Sequence, residues 1–315
     1  MTDTARPILF QTGPIMDPAL APALAEHFTV LMPEMLEKAQ AGAVRGIVSG
    51  GGRKVNDELM ACFPALEIVA NFGVGYDTVD VAAAQRRHVM VTHTPGVLDE
   101  EVADLTLGLL LATVRRIPQA DRYVREGRWP GGPFPLSPSL RGRKVGMVGL
   151  GRIGLAVARR LEGFGVPVLY HTRNRRADVP YAWHGNLVEL ARAVDVLVVL
   201  VPGGAQTRHL VNADVLEALG PQGILVNVAR GSVVDEVALV DALLTGRIGA
   251  AGLDVFALEP HVPEALMDCD NVVLLPHVGS GTFATRAAMG QLVVDNLLGW
   301  FAGQGPVTPV PECAG

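Results

Sequence analysis

Three polar residues in the second half of the chain each stand just beyond an apolar run that reads as a buried strand. Arg230 follows Val226-Asn227-Val228-Ala229 and precedes Gly231-Ser232. Glu259 comes shortly after the strand that contains Asp254, in the run LDVFALEP, and His277 follows Leu274-Leu275-Pro276. Strand ends on one edge of an open α/β sheet converge, so the three side chains are candidates for one site near a nicotinamide ring. Their types suit the reduction of a 2-keto acid. Arg offers a planar, permanently charged fork to a carboxylate and a polarised carbonyl. His donates a proton near neutral pH to the oxygen that takes up charge as hydride arrives. A carboxylate beside that His orients the ring and favours its charged form.

Each residue alone also has a plainer explanation. Arg230 reads equally as a surface residue, Glu259 as a helix-terminal charge beside Pro260, and His277 as a satisfied buried histidine. Asp254 reads either as a contact to a cofactor amide or as a strand-end structural acid. The other histidines (His27, His88, His93, His171, His184, His209 and His261) show no metal-ligand spacing, so no metal is expected.

The element that would position a cofactor is Lys144–Gly154. Val145 to Val148 reads as a short buried strand, Gly149-Leu150-Gly151-Arg152-Ile153-Gly154 as a turn, and Leu155 to Phe164 as a helix. In a strand–G-x-G-x-x-G–helix, Gly149 permits the turn, Gly151 lets backbone approach a pyrophosphate, and Gly154 lets helix and strand pack closely. The helix N-terminus adds free N–H groups and the positive end of its dipole. A second strand, Pro167 to His171, follows. An NAD site usually places an acid after it to hold the ribose hydroxyls. Here the turn reads His171-Thr172-Arg173-Asn174-Arg175-Arg176, with no acid and with Arg173, Arg175 and Arg176 in it. Arg173 with Thr172 and Asn174 suits a 2′-phosphate, which a carboxylate would repel. A solvated basic turn is the alternative; the favoured cofactor is NADP(H).

The first 95 residues alternate short apolar runs with helical patterns and predict a parallel sheet of their own. Strands are expected at Pro7–Gln11, Thr29–Met32, Gly46–Ser49, Glu67–Asn71 and Val89–Thr92. Helices are expected at Ala19–Glu26, Glu34–Gln40, Asn56–Phe63 and Asp80–Arg86. Two glycine-bearing loops, Ser49–Gly52 and Asn71–Asp77, follow strands, and Gly73 and Gly75 would leave backbone N–H groups for an anion such as a carboxylate. Ordinary tight turns explain them equally well.

Thr94-Pro95-Gly96 marks the first crossing between domains. A long helix, Asp99–Arg116, is apolar over most of its surface and so is buried in a core or against another subunit. Arg122–Leu140 reads as irregular. Further helices are expected at Leu187–Arg192, Ala213–Leu219 and Val237–Thr245, with strands at Val194–Val201, Gly223–Val228, Gly252–Val255 and Val272–Leu275. The last helix, Phe283–Phe301, is expected to return to the first domain, and Val307–Gly315 to form an extended tail. The expected fold is α/β, with two Rossmann-like domains on parallel sheets. A cofactor domain (96–286) is inserted into a discontinuous flavodoxin-like substrate domain (1–95 and 287–315).

Bulk properties agree with such a reading. A length of 315 residues suggests about two domains, and 49% hydrophobic residues with only 5% aromatic ones suit a sheet covered by helices. A net charge of −6 gives no nucleic-acid surface. The run MTDTARPILF lacks a basic flank followed by an apolar stretch, so no signal peptide is expected, and no segment is long and apolar enough to span a bilayer. Cys62, Cys269 and Cys313 fit neither a disulfide framework nor a zinc site. A soluble, cytoplasmic protein is expected.

The runs NFGVGYD (71–77), TPGVLDEEVAD (94–104), VGLGRIG (148–154), NVARGSVVDE (227–236), GLDVFALEP (252–260) and LLPHVGS (274–280), in this order, resemble the D-isomer-specific 2-hydroxyacid dehydrogenases. Within that family, FPLSPSLRGRKVG (134–146) and the arginine-bearing turn most resemble the NADPH-dependent glyoxylate/hydroxypyruvate reductases, including the hydroxyphenylpyruvate reductase group. The resemblance implies that Arg230 binds substrate, that His277 is the catalytic histidine and that Glu259 supports it. It implies that Val74 and Gly75 hold the substrate carboxylate through backbone N–H groups. Arg152 and Ile153 would lie against the pyrophosphate, Arg173 and Asn174 near the 2′-phosphate, and Asp254 near the nicotinamide. Val201, Pro202, Val228, Ala229, His277 and Gly279 would complete the cofactor's surroundings. It also implies a homodimer through the 99–140 region and a site in a cleft between domains. The expected reaction is NADPH-dependent reduction of glyoxylate or hydroxypyruvate to the D-2-hydroxy acid. Reduction of bulkier arylpyruvates is the first alternative, and a nucleotide-sensing binding protein on the same fold is the other.

Overall fold

The computed structural model describes residues 6–50 and 52–314, so Met1–Ala5, Gly51 of the Ser49–Gly52 loop and Gly315 of the tail lie outside the described residues. The chain divides into two compact units, Met1–Leu98 with Ser280–Gly315, and Asp99–Gly279. The division therefore falls at 98/99 and 279/280 rather than at 95/96 and 286/287. Helices set it: one begins at Asp99, and a limit at 286/287 would cut through the continuous helix Phe283–Phe301.

The first unit holds β1 (Ile8–Gln11), β2 (Thr29–Leu31), β3 (Val44–Ser49), β4 (Ile68–Asn71) and β5 (Met90–Thr92) in the order β2-β1-β3-β4-β5. All its pairings are parallel. This is the flavodoxin-like order. Helices cover the sheet, which is why its strands read as continuous apolar runs. Phe10, Ile47, Met60, Phe63, Val69 and Val91 form part of the core beneath them. Asn56 and Asp80 cap two of the helices, accepting the N–H groups of Leu59 and Ala83. The stretch expected as one helix, Glu34–Gln40, splits into a 3-10 turn at Pro33–Met35 and a short helix at Lys38–Ala41, with Leu36 and Glu37 extended between them. The tail does more than extend. Val310 donates to the Val91 carbonyl at 2.9 Å, and Pro309 bridges Thr92, so the tail covers the β5 edge.

The second unit holds β6 (Val145–Val148), β7 (Val168–His171), β8 (Ala182–Trp183), β9 (Val196–Val199), β10 (Ile224–Asn227), β11 (Ala250–Leu253) and β12 (Val272–Leu274). Their order is β12-β11-β10-β9-β6-β7-β8, again all parallel. Read from β8 it is the dinucleotide-fold order extended by one strand, with its switch point between β6 and β9. The helix Asp99–Arg115 buries one face within this unit, with Val102, Ala103, Thr106, Leu109, Leu110 and Thr113 inside, while Asp104, Gly108 and Arg115 are exposed. Gly252 in β11 has no Cβ, and one there would stand 2.5 Å from Thr113 Oγ1 and 3.0 Å from Leu109 Cγ, so the glycine lets the helix approach the strand. The buried Thr106 and Thr113 hydroxyls donate to the Val102 and Leu109 carbonyls one turn back. The helix stops where Arg116 turns left-handed (φ 53°), and a second helix, Ile117–Arg125, begins with Pro118 in its first turn. That helix takes up part of the stretch expected to be irregular. The two-residue β8 and the helix Glu264–Met267 were also not expected. No helix among the described residues is long and apolar enough to cross a membrane.

Candidate active site

Each proposed chemical residue of the second unit sits where a strand ends, and local bonds explain its placement. At the end of β10, Asn227 is buried, and its side chain braces the following turn. Its Oδ1 accepts the Ala229 N–H at 3.0 Å, and its Nδ2 donates to the Arg230 carbonyl at 3.0 Å. Arg230 in turn donates from Nη1 to the Ala229 carbonyl at 2.7 Å. The next residue must be glycine, because a Cβ on Gly231 would stand 1.9 Å from the Phe256 carbonyl carbon. The Arg230 turn is thus packed directly on the backbone that leads to Glu259.

After β11, the Phe256 N–H donates to Glu259 Oε1 at 3.1 Å, and the Ala257 N–H to Glu236 at 3.1 Å. The other oxygen of Glu259 meets His277 Nδ1 at 2.7 Å. With Glu259 ionised, Nδ1 carries the proton of that bond, and Nε2 is the nitrogen left to exchange a proton with a ligand. His277 holds a left-handed backbone (φ 54°) because its N–H donates to the Asp254 carbonyl at 2.8 Å. Asp254, 1% exposed, accepts the Val278 N–H at 2.8 Å and the Gly279 N–H at 2.9 Å, one on each oxygen. It therefore ties the loop after β12 to the end of β11. Of its two readings, the structural one accounts for every bond the structure gives its carboxylate.

Burial pushes the Glu259 carboxyl up. The hydrogen bond and charge of His277, the Phe256 N–H and the charge of Arg230 outweigh that and hold it below its ordinary 4.5. Asp254 goes the other way: burial raises it more than the Val278 and Gly279 N–H groups and the His277 charge lower it. A carboxyl held below its unfolded value stabilises the fold while ionised, and that contribution disappears as pH falls through the folded pKa. Wild-type protein should therefore lose more stability than Glu259→Gln as pH drops below 4.5. Urea midpoints at stepped pH measure this, and parallel curves for the two proteins would refute it.

The glycine turn lies at the sheet's switch point. Gly149 adopts φ 97°, and a Cβ on Gly154 would stand 2.7 Å from the Gly149 carbonyl oxygen. Gly151 is the N-cap of helix Arg152–Glu162 and supplies no side-chain cap, while the space beside it is open. The first N–H groups of that helix are thus left for an anion. Val201 packs 3.0 Å from where a Gly149 Cβ would lie, and Pro202 follows it in the loop after β9. Val228 and Ala229 are buried beside Arg230. Beyond β7, Thr172 Oγ1 donates to the Asn174 carbonyl at 2.6 Å, and Arg173 is exposed. The first acid after that strand is Asp178, and it is paired with Arg176. These residues fit a dinucleotide whose pyrophosphate caps the helix and whose ribose carries a phosphate rather than free hydroxyls. No group of three or more potential metal ligands occurs among the described residues.

In the first unit, Asn71 at the end of β4 shapes the Gly73–Gly75 loop. Its Nδ2 donates to the Gly73 and Gly75 carbonyls at 3.1 Å each, and its Oδ1 accepts from the Ser49 hydroxyl at 3.2 Å. His93 Nδ1 meets the Val74 carbonyl at 2.9 Å. With the carbonyls so engaged, no hydrogen bond among the described residues takes the Val74 or Gly75 N–H. Asn71, Asn227, Gly231 and Glu236 were not singled out from the sequence. The signal for the two asparagines is a polar residue ending an otherwise apolar strand; for Gly231 it is a glycine immediately after a candidate arginine.

Known proteins resemble this chain over most of its length. Residues 107–279 match the model of the D-isomer specific 2-hydroxyacid dehydrogenase NAD binding domain. A hydroxyphenylpyruvate reductase of Plectranthus scutellarioides is 49% identical over 271 residues, 86% of this chain and 87% of the relative. A glyoxylate/hydroxypyruvate reductase of Arabidopsis thaliana is 47% identical over 287 residues, covering 91% and 92%. Among solved structures, the NADPH-dependent glyoxylate/hydroxypyruvate reductase of Sinorhizobium meliloti in complex with NADP and malonate superposes with a TM-score of 0.94 at 55% identity, covering 98% of each chain. The chain belongs to the D-isomer-specific 2-hydroxyacid dehydrogenases.

Proposed function

We propose that the protein is an NADPH-dependent reductase of small 2-keto acids, with glyoxylate and hydroxypyruvate first, yielding the D-2-hydroxy acid. The observation that carries this reading is the Glu259–His277 contact at 2.7 Å, which leaves Nε2 as the proton-donating nitrogen. The acid-free turn after β7 and the similarity to the Sinorhizobium meliloti reductase support NADPH in particular. When bound, the cofactor supplies hydride to the keto carbon. Thr172, Arg173 and Asn174 hold its 2′-phosphate. Gly149, Gly151, Arg152, Ile153 and Gly154 receive the pyrophosphate. Val201, Pro202, Val228, Ala229, Asp254, His277 and Gly279 surround the rest. Arg230 pairs with the substrate and polarises its carbonyl, while the Val74 and Gly75 N–H groups take the carboxylate. His277 passes its Nε2 proton to the carbonyl oxygen, and Glu259 stabilises the charged imidazole before that transfer.

The reading includes a homodimer and a reducing, cytoplasmic location. Ile117, Val124, Trp129 and Leu136 are exposed, and a hollow of about 540 Å³ lined by Arg115, Ile117, Ala120, Asp121 and Val124 accompanies them. So much apolar surface in one region favours a second subunit. Cys62, Cys269 and Cys313 are unpaired, which supports the compartment.

The test is NADPH oxidation against a panel running from glyoxylate and hydroxypyruvate to arylpyruvates, repeated with NADH, on protein sized by sedimentation. Turnover of the small acids with NADPH preferred and a dimeric mass are expected. Arylpyruvates reduced faster than hydroxypyruvate would move the substrate class. NADPH binding without turnover of any keto acid would favour a nucleotide sensor.

A further inference from the structure

The arginines of the turn after β7 have different surroundings, and the difference assigns them different work. Arg176 is fully occupied. It donates from Nη1 to the Leu150 carbonyl of the glycine turn at 2.5 Å, pairs with Asp178, and its N–H donates to the Tyr170 hydroxyl at 2.8 Å. A guanidinium so engaged is a clamp between the two turns. Arg173 is held differently, with a single side-chain bond from Nη1 to Gln206 Oε1 at 3.0 Å.

Gln206 comes from the loop after β9, and β9 and β7 both neighbour β6 in the sheet, so the two loops flank the glycine turn. Both are locally fixed. Thr207 Oγ1 donates to the Pro202 carbonyl at 2.7 Å, while Trp183 Nε1 donates to the Thr172 carbonyl at 3.1 Å. An exposed arginine spreads over many rotamers, and an acceptor on a fixed loop removes most of that freedom before a ligand arrives. The acceptor's charge matters as much as its position. An amide oxygen orients the guanidinium and leaves its charge intact, whereas a carboxylate there would neutralise it and repel a phosphate.

We propose that Gln206 is a positioning residue for Arg173 and through it sets the preference for a 2′-phosphorylated dinucleotide over an unphosphorylated one. The proposal rests on the NADPH reading above and on Arg173 as the phosphate ligand. Arg173 keeps donors for the phosphate while Gln206 holds one arm of the fork. Arg176 serves both cofactors alike, since it holds the glycine turn rather than the ribose end.

Binding and kinetics of wild type, Gln206→Ala, Gln206→Glu, Arg173→Ala and the double alanine variant test this. NADPH and NADH are titrated by fluorescence, and 2′,5′-ADP and 5′-AMP by calorimetry, with thermal melts as a folding control. Immobilising one long side chain corresponds to about a three- to tenfold change in affinity. Gln206→Ala should weaken NADPH and 2′,5′-ADP by about that factor while the ratio to NADH and 5′-AMP shifts with it. Gln206→Glu should weaken them more, although it accepts the same hydrogen bond. In the Arg173→Ala background, removing Gln206 should add nothing. Equal losses for both cofactors, rescue by Glu, or a Gln206 effect that persists without Arg173 would overturn the proposal. Arg173→Ala leaving NADPH affinity untouched would overturn the NADPH reading itself and this proposal with it; loss in Arg173→Ala with none in Gln206→Ala would sink the proposal alone.

Discussion

Replacing His277 with Ala should lower kcat by about 10²- to 10⁴-fold, the range for a positioned general acid, while NADPH affinity stays within a few-fold of wild type. The loop does not depend on the imidazole. Its backbone is held by the His277 N–H on the Asp254 carbonyl and by the Val278 and Gly279 N–H groups on the Asp254 carboxylate. Ala in the left-handed conformation at φ 54° costs about 1–2 kcal/mol, so the same loss is expected in His277→Asn, which tolerates that backbone better. Agreement between the two variants would separate chemistry from loop strain. Glu259 changes as well. Without its histidine the carboxyl keeps its burial but loses the partner that outweighs it, so its pKa should rise toward or past 4.5. Steady-state kcat at saturating NADPH, with a fluorescence titration alongside, measures both effects. A kcat within tenfold of wild type for both variants would remove His277 from the proton transfer.

Much of this site is legible in the chain because the chemistry sits at strand ends, and buried parallel strands announce themselves as apolar runs. Ile224–Val226, Ala250–Leu253 and Val272–Leu275 are such runs, and Arg230, Glu259 and His277 follow them within a few residues. The β6 glycine turn is legible for the same reason, since a strand precedes it and a helix follows. What could not be read depends on contacts distant in sequence or on short elements. Helix Ile117–Arg125 is mostly polar and carries Pro118 in its first turn, so it leaves no apolar run to read, and the left-handed Arg116 parts it from the preceding helix. The two-residue β8 has no periodicity to detect, and Pro33 and Pro263 start elements too short to show one. That Asp254 braces the loop after His277 depends on that loop folding back to it, which is a tertiary fact. The division of labour between Arg173 and Arg176 likewise needs Gln206 and Leu150, neither of which is near them in sequence.

Gly231→Ala should damage both stability and turnover, and for one reason. The added methyl would stand 1.9 Å from the Phe256 carbonyl carbon, 2.1 Å from its oxygen and 2.3 Å from the Ala257 nitrogen. All three atoms are backbone, so no side chain can rotate away, and relief requires one chain segment to move relative to the other. Overpacking of this kind costs roughly 1–3 kcal/mol, and more when backbone alone must yield. The segments that must part are the Arg230 turn and the Phe256–Glu259 loop. The Phe256 N–H positions Glu259 Oε1, and Glu259 positions His277, so the shift passes through the three candidate chemical residues. A displacement near 1 Å in a positioned group costs about 100-fold in rate. The expected result is a lower melting temperature and a kcat/KM reduced by about 100-fold or more. NADPH affinity should fall far less, because the glycine turn at Gly149–Gly154 is built on β6. Gly142→Ala provides the comparison: Gly142 also lacks a Cβ at a sharp turn, with φ 82°, but nothing lies within 4 Å of it. Its replacement should strain its own backbone and leave kcat/KM nearly unchanged. Equal kinetic losses in the two variants would show that the contact between Gly231 and Phe256 does not organise the site.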